Sequence, residues 1–285
     1  MPAKILDGKW VRDQILTDLK PRIEKLKSAH RPPGLAVILI GHDPGSEIYV
    51  RNKIKTCGDL GIYSEKITPP ESITTDELIG IIEGLNQRSE IDGILVQVPL
   101  PPQIDKQRIL VAVNADKDAD GFHPTNVGHL VANSPAPRAC TPAGIMEMLR
   151  RYEIPISGRR AVVVGRSDIV GKPMAMLLLH QHATVTICHS KTPDLPGECR
   201  RADILVAAMG KPAFITRDFI QPGATVIDVG MNRKADGKVI GDVDPDAMKE
   251  VAGAYTPVPG GVGPLTIGML MTNTVQAAER HLCSA

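Results

Sequence analysis

Lys53 is the residue in this 285-residue chain whose placement first suggests chemistry. It lies in the stretch Gly41-His42-Asp43-Pro44-Gly45-Ser46-Glu47-Ile48-Tyr49-Val50-Arg51-Asn52-Lys53-Ile54-Lys55-Thr56-Cys57, which follows an apolar run at 35–40. The run reads as a buried strand, and Asp43-Pro44 or Ser46 can start a helix after it. Wound at about 100° per residue, positions 46–61 gather Ser46, Tyr49, Val50, Lys53, Ile54, Cys57 and Leu60 on one arc. Glu47, Arg51, Asn52, Lys55 and Asp59 fall on the other. Lys53 thus shares the apolar face, with Tyr49 one turn before it. A lysine there can snorkel or pair with a carboxylate. It can also line a cleft where desolvation frees the amine for acid–base work. The helical pattern alone leaves both open.

A second constellation starts at the strand Ala161-Val162-Val163-Val164. The loop Gly165-Arg166-Ser167-Asp168-Ile169-Val170-Gly171 follows, and Lys172-Pro173 opens an apolar helix. Strand, glycine loop and helix in this order are the context of a dinucleotide-binding fingerprint. The spacing departs from G-x-G-x-x-G: Ser167 replaces the second glycine, and Gly171 comes one residue late. The following strand, 183–188, ends in Cys188-His189-Ser190-Lys191-Thr192, without the carboxylate that binds a ribose 2′-hydroxyl. Hydroxyl and basic groups there, with Arg166 in the loop, suit a 2′-phosphate, so NADP is preferred over NAD. His180, His182 and His189 lack a metal-ligand pattern, and no metal is expected.

The elements that must position these residues alternate. A helical pattern at 8–28 is expected to break near Pro21. Strands are predicted at 35–40, 62–67 and 92–98, with helices at 46–61, from 74 or 75 to 86, and at 104–112. Such alternation indicates a parallel sheet with helices on its faces. Residues 114–142 read as a joint rich in Pro, Asn and Gly, closed by Thr141 and Pro142 as the cap and first residue of a helix to 151. A second series follows, with further strands at 203–207 and 225–229 and a last helix at 264–281 that could pack on either domain. The expected fold class is therefore α/β, with two mostly parallel sheets flanked by helices and the second of Rossmann type.

Composition narrows the function. A net charge of +1 and only 3% aromatic residues give no support to nucleic-acid or membrane-surface partners. The cysteines, at 57, 140, 188, 199 and 283, show no redox or metal spacing, and their odd number argues against a disulfide framework. A reducing, cytoplasmic setting fits them. The N-terminus has no signal-peptide pattern, and no window of about 18 apolar residues predicts a membrane span.

Six ordered segments give the chain a family likeness over almost its whole length. They are Tyr49-Val50-x-x-Lys53-x-Lys55-x-Cys57, Asp92-Gly93-Ile94-Leu95-Val96-Gln97-Val98-Pro99-Leu100-Pro101 and Lys117-Asp118-Ala119-Asp120-Gly121. After them come Cys140-Thr141-Pro142, Val164-Gly165-Arg166-Ser167-x-Ile169-Val170-Gly171-Lys172-Pro173 and Thr256-Pro257-Val258-Pro259-Gly260-Gly261-Val262-Gly263-Pro264. With these the chain resembles the bifunctional methylenetetrahydrofolate dehydrogenase/methenyltetrahydrofolate cyclohydrolase family. Gly45 stands where that family commonly has Ala, and Phe122-His123 varies.

The resemblance implies NADP-dependent oxidation of 5,10-methylenetetrahydrofolate and hydrolysis of the methenyl product to 10-formyltetrahydrofolate. It implies a catalytic, folate-binding domain (1–139 plus 266–285), a Rossmann NADP domain (140–265), an active-site cleft between them, and a homodimer. Lys53 becomes the acid–base group, with Gln97 as its hydrogen-bonding partner and Tyr49 beside the folate ring. Asp120 is implied for the pterin, and Pro99, Pro259, Gly260 and Gly263 for the rest of the substrate. Gly165, Arg166, Ser167, Ile169, Gly171, His189 and Ser190 are implied for the nucleotide. Two other readings compete: a different two-domain NADP oxidoreductase acting on a small hydroxy or amino acid, and a non-catalytic nucleotide-binding regulator.

Overall fold

The computed structural model describes residues 3–234 and 236–284. In chain order the elements are β1 (Lys4–Ile5), α1 (Gly8–Ala29), β2 (Gly34–Ile38), α2 (Pro44–Leu60), β3 (Tyr63–Ile67), α3 (Thr75–Gln87) and β4 (Gly93–Val96). Next come α4 (Lys106–Ala112), α5 (Pro124–Val131), α6 (Cys140–Arg151), β5 (Arg160–Val164), α7 (Gly171–His180) and β6 (Thr184–Cys188). The chain closes with α8 (Leu195–Cys199), β7 (Ile204–Ala207), β8 (Thr225–Asp228), β9 (Asn232–Arg233), β10 (Val239–Ile240), α9 (Pro245–Val251), β11 (Ala254–Tyr255) and α10 (Val262–Ser284).

Two compact units divide it: the residues before Gln14 join Ala139–Thr266, and Gln14–Arg138 join the residues after Thr266. This departs from the expected boundary at the N-terminus. β1 pairs in parallel with β11, and Lys4 and Leu6 donate their N–H groups to Gly253 O and Tyr255 O at 2.8 Å each. The opening residues thereby cover a sheet edge that would otherwise present unpaired backbone groups.

In the three-stranded unit the sheet order is β3-β2-β4, parallel throughout. β2 is buried along its whole length, as its unbroken apolar sequence requires of a central strand. Leu78, Ile82 and Leu85 of α3 pack with Ile38, Ile94 and Ile109 over it. α1 sets Ile15, Leu19, Ile23 and Leu26 inward, and it runs through Pro21 without the expected break. Pro21 lies on the exposed side of the helix, where its missing N–H and its ring are tolerated. α10 from Ile267 onward belongs to this unit. Asn273 Nδ2 donates to Ala119 O and Arg138 O at 2.9 Å each, which ties the helix to the joint.

In the six-stranded unit the order is β1-β11-β8-β7-β5-β6, every pair parallel. Val164, Leu205, Ala207 and Val226 are fully buried between the helical layers. β7 reads as a continuous apolar run for this reason, and β5 does after Arg160. α6 begins at Cys140 with Ala139 at its N-cap, two residues before the predicted Thr141 cap, and the cap residue makes no side-chain bond.

The three-stranded unit is pinned by a buried carboxylate. Asp92, fully buried at the start of β4, receives Arg31 Nη1 at 2.6 Å and Nη2 at 2.9 Å. It also accepts from Gly34 N–H, and His281 Nδ1 lies 2.8 Å from its Oδ1. One side chain therefore joins the starts of β2 and β4 to the end of α10. Asp92→Ala leaves the guanidinium without its carboxylate partner and is expected to cost about 3 kcal/mol of stability, read from the urea midpoint by far-UV circular dichroism.

Candidate active site

α2 is set by both of its ends. Asp43 accepts from Ser46 N–H at 2.7 Å at the N-cap, and Gly61 stops the helix at φ 72° with its N–H returned to Cys57 O and Gly58 O. Ser46, Val50, Cys57 and Leu60 are buried, while Glu47, Arg51, Lys55 and Asp59 are exposed. Lys53 is half-buried at the edge of the inward face, and Tyr49, 38% exposed, stands one turn earlier. Lys53 Nζ donates to Gln97 Oε1 at 3.0 Å. Gln97 Nε2 donates to Val98 O at 2.6 Å, and Gln97 N–H to Ile38 O at 2.9 Å. The amide is fixed at both atoms, with its oxygen toward the lysine. Pro99 follows, exposed, after a cis Val98–Pro99 bond. Cys57 shares the inward face but is no nucleophile: burial pushes its thiol up to about 12, and its Sγ lies 3.6 Å from Met271 Sδ.

The segment 117–121 divides its work among its residues. Lys117, buried, donates to Arg88 O at 2.7 Å and to Leu85 O, holding the carbonyl end of α3. Asp118 accepts from Gly121 N–H at 3.0 Å, His123 N–H at 2.7 Å and Asn126 Nδ2 at 2.9 Å, which closes the loop. Ala119 N–H reaches Ile94 O, so the segment runs beside β4. Asp120 lies within electrostatic reach of Lys53. Burial, aided by the Asp118 charge, pushes its carboxyl up to about 6, with Lys53 opposing the shift.

In the six-stranded unit the loop after β5 forms a tight cradle. Gly165 sits at φ 133°, and a Cβ there would lie 2.1 Å from Ala208 O. A Cβ on Gly171 would lie 2.2 Å from Gly165 O. Ser167 accounts for the departure in spacing: its Oγ accepts from Val170 N–H at 3.2 Å and Gly171 N–H at 3.3 Å, capping the start of α7. Arg166 is exposed beside it, and Ile169 is half-buried. After β6, His189 N–H donates to Thr192 Oγ1 at 2.9 Å, and Lys191 N–H to His189 Nδ1 at 3.1 Å. This turn presents Ser190 and Lys191 to solvent. Glycines without room for a side chain, a helix N-terminus and exposed basic and hydroxyl groups fit a dinucleotide phosphate. Pro259, Gly260 and Gly263 lie in the same unit as this loop. Pro259 follows a second cis bond, and Gly260 at φ 107° accepts Gly8 N–H on its carbonyl at 3.0 Å.

Comparison with known proteins decides the family. Residues 6–120 match the tetrahydrofolate dehydrogenase/cyclohydrolase catalytic domain, and residues 139–282 match the NAD(P)-binding domain of the same family. The chain belongs to the tetrahydrofolate dehydrogenase/cyclohydrolase family. It is 67% identical to the bifunctional protein FolD of Solibacter usitatus, with 98% of each chain covered. Among solved structures it is similar to the FolD methylenetetrahydrofolate dehydrogenase/cyclohydrolase of Campylobacter jejuni, at 44% identity and a TM-score of 0.95 over 98% of this chain and 99% of that one. The Trypanosoma brucei FolD, solved with NADP cofactor and an inhibitor, is 38% identical with a TM-score of 0.93 and 98% of each chain covered.

Within this member of the tetrahydrofolate dehydrogenase/cyclohydrolase family, some residues that shape the segment 117–121 carried no clear sequence signal. Asn273 was one, although an amide inside the apolar pattern of α10, 4% exposed, was a signal that it holds backbone groups. Asp118 and Asn126 were others, and a buried Asp–Asn pair leaves no periodic mark. Asp120 carries a testable cost. Its carboxyl holds a proton more tightly in the folded chain than in the unfolded one, so folding stability falls as pH rises from about 4 to about 6 and stays reduced above that. Asp120→Asn is expected to raise the urea midpoint at about pH 7.5, with the gain vanishing near pH 4. An unchanged midpoint at the higher pH would contradict this.

Proposed function

We propose that this chain oxidises 5,10-methylenetetrahydrofolate with NADP and hydrolyses the methenyl product to 10-formyltetrahydrofolate. The family membership supports the reaction pair. The observation that carries the residue assignment is the lysine amine held by a neutral amide oxygen at 3.0 Å. A carboxylate in that place would stabilise the ammonium, whereas Gln97 orients the amine without a countercharge.

The first step breaks a C–H bond of the methylene carbon with its electron pair, leaving a cation shared by the two flanking nitrogens. NADP, when bound, accepts that hydride, and the step requires position rather than a protein base. Gly165, Arg166, Ser167, Ile169, Gly171, His189 and Ser190 would hold the nucleotide. The second step adds water to the cationic carbon, removes a proton and breaks one C–N bond. Lys53 is the group that takes the proton and returns one to the leaving nitrogen. Tyr49 offers its ring to the folate. Asp120, when ionised, accepts from the amino and ring N–H edge of the pterin. Pro99, Pro259, Gly260 and Gly263 contribute backbone close to the substrate. We assign 1–139 with 266–285 to catalysis and 140–265 to the nucleotide, with the opening residues paired as described.

A homodimer in the cytoplasm completes the reading. Light scattering on the purified chain is expected to give twice the 30.6 kDa protomer mass. Among the described residues no helix is long and apolar enough to cross a membrane.

Lys53→Met is expected to cut methenyltetrahydrofolate hydrolysis by about a hundredfold or more, assayed without nucleotide, with the far-UV spectrum retained. Full hydrolase activity in that variant would remove Lys53 from the mechanism. Lys191→Ala is expected to lower the NADP-over-NAD preference in kcat/KM by about tenfold, the value of one charge-assisted contact.

A further inference from the structure

The six-stranded sheet reverses its direction of growth beside β5, with β6 on one side and β7 on the other. In an open parallel sheet the ligand crevice lies at such a switch, between the loops that leave the two strands. One wall is the loop 165–171. The other is the loop 208–211 after β7, whose residues 209–211 make their amide bonds elsewhere.

Its amides converge on one carboxylate. Met209 and Gly210 donate their N–H groups to Asp242 Oδ2 at 2.6 and 2.9 Å, and Lys211 donates to Oδ1 at 2.8 Å. Asn232 Nδ2 adds a fourth bond to Oδ1 at 2.9 Å. Asp242 is fully buried, so these donors are what offset the loss of water. Asp242 is itself seated by Asp228 at the end of β8. Asp228 Oδ1 accepts Asp242 N–H at 2.8 Å and Gly230 N–H at 2.9 Å, and Oδ2 accepts Val243 N–H at 2.9 Å. A Cβ on Gly241 would lie 1.8 Å from Asp228 Oδ2, so only glycine leaves room for this seat. The two walls are in register: Ala208 N–H donates to Val164 O at 2.8 Å, beside the Gly165 contact described above.

We propose that Asp242 is a positioning residue for the nucleotide, its carboxylate fixing the amides of 209–211 as the second wall of the NADP crevice. The proposal rests on the reading of 165–171 as a dinucleotide loop. Asp242→Asn puts an N–H where an acceptor is needed, so at least one loop amide loses its partner.

The test is calorimetric titration with NADP, joined to amide hydrogen exchange on the full chain. Kd is expected to rise tenfold or more, and the amides of 209–211 to lose protection while β5 and β7 keep theirs. KM for NADP should follow Kd, with KM for methylenetetrahydrofolate moving less than threefold. An NADP Kd within twofold of wild type overturns the proposal, as does an equal rise in both KM values. Should protection collapse across β5 and β7, Asn232→Ala takes the place of the first variant. It removes one of the four donors, and a threefold rise in Kd is expected, an unchanged Kd being the overturning result. A wild-type chain that binds no NADP would overturn the dinucleotide reading and this proposal with it. Wild-type binding with unchanged variants overturns this proposal alone.

Discussion

Loop amides folded away from water must find acceptors, and in this chain aspartates supply them. Asp92 joins the starts of β2 and β4, Asp118 closes the turn that leads into α5, and Asp228 with Asp242 gathers the loops at the ends of β7 and β8. All four are less than a tenth exposed. A carboxylate can accept from several donors at once without offering a competing N–H, which an amide cannot do. Much of the loop geometry in both units depends on that property. It also explains why these residues cluster at strand ends, where the sheet ladder stops and its last amides need partners.

The surroundings of Lys53 follow a different economy. Its partner is a neutral amide locked through its nitrogen to Val98 O, so the amine is oriented but not neutralised. Asp120 is the nearby charge, and it is held at a cost, its carboxyl pushed up to about 6 by burial and by Asp118. Lys53 opposes that shift, so the two groups feel one another's charge.

On the nucleotide side, the departures from the usual glycine spacing have physical causes. Ser167 takes over the capping of α7, and Gly171 is displaced to the point where the helix backbone passes Gly165 O. The absence of a carboxylate after β6 becomes a turn that turns Ser190 and Lys191 outward while His189 is used to shape it. The two relatives solved as FolD share this architecture over nearly their whole length.

The sequence by itself determined the α/β alternation, the two sheets and the inward face of α2. Long apolar runs and helical spacing are local signals that survive without tertiary context. The resemblance of six segments added Gln97, Asp120 and the residues proposed for the nucleotide. The sequence did not determine β1 and β11, two residues each, which have no alternation of their own and exist because they pair with one another and with β8. Nor did it reveal α5, hidden in a segment whose Pro, Asn and Gly content reads as loop. Only the tertiary structure decided that α10 past Ile267 packs with the three-stranded unit, through Asn273 and His281, because helix periodicity names a buried face but not its partner. Only it brought Asp242 to the loop after β7, more than thirty residues away, since the burial of one carboxylate among four donors leaves no trace in spacing.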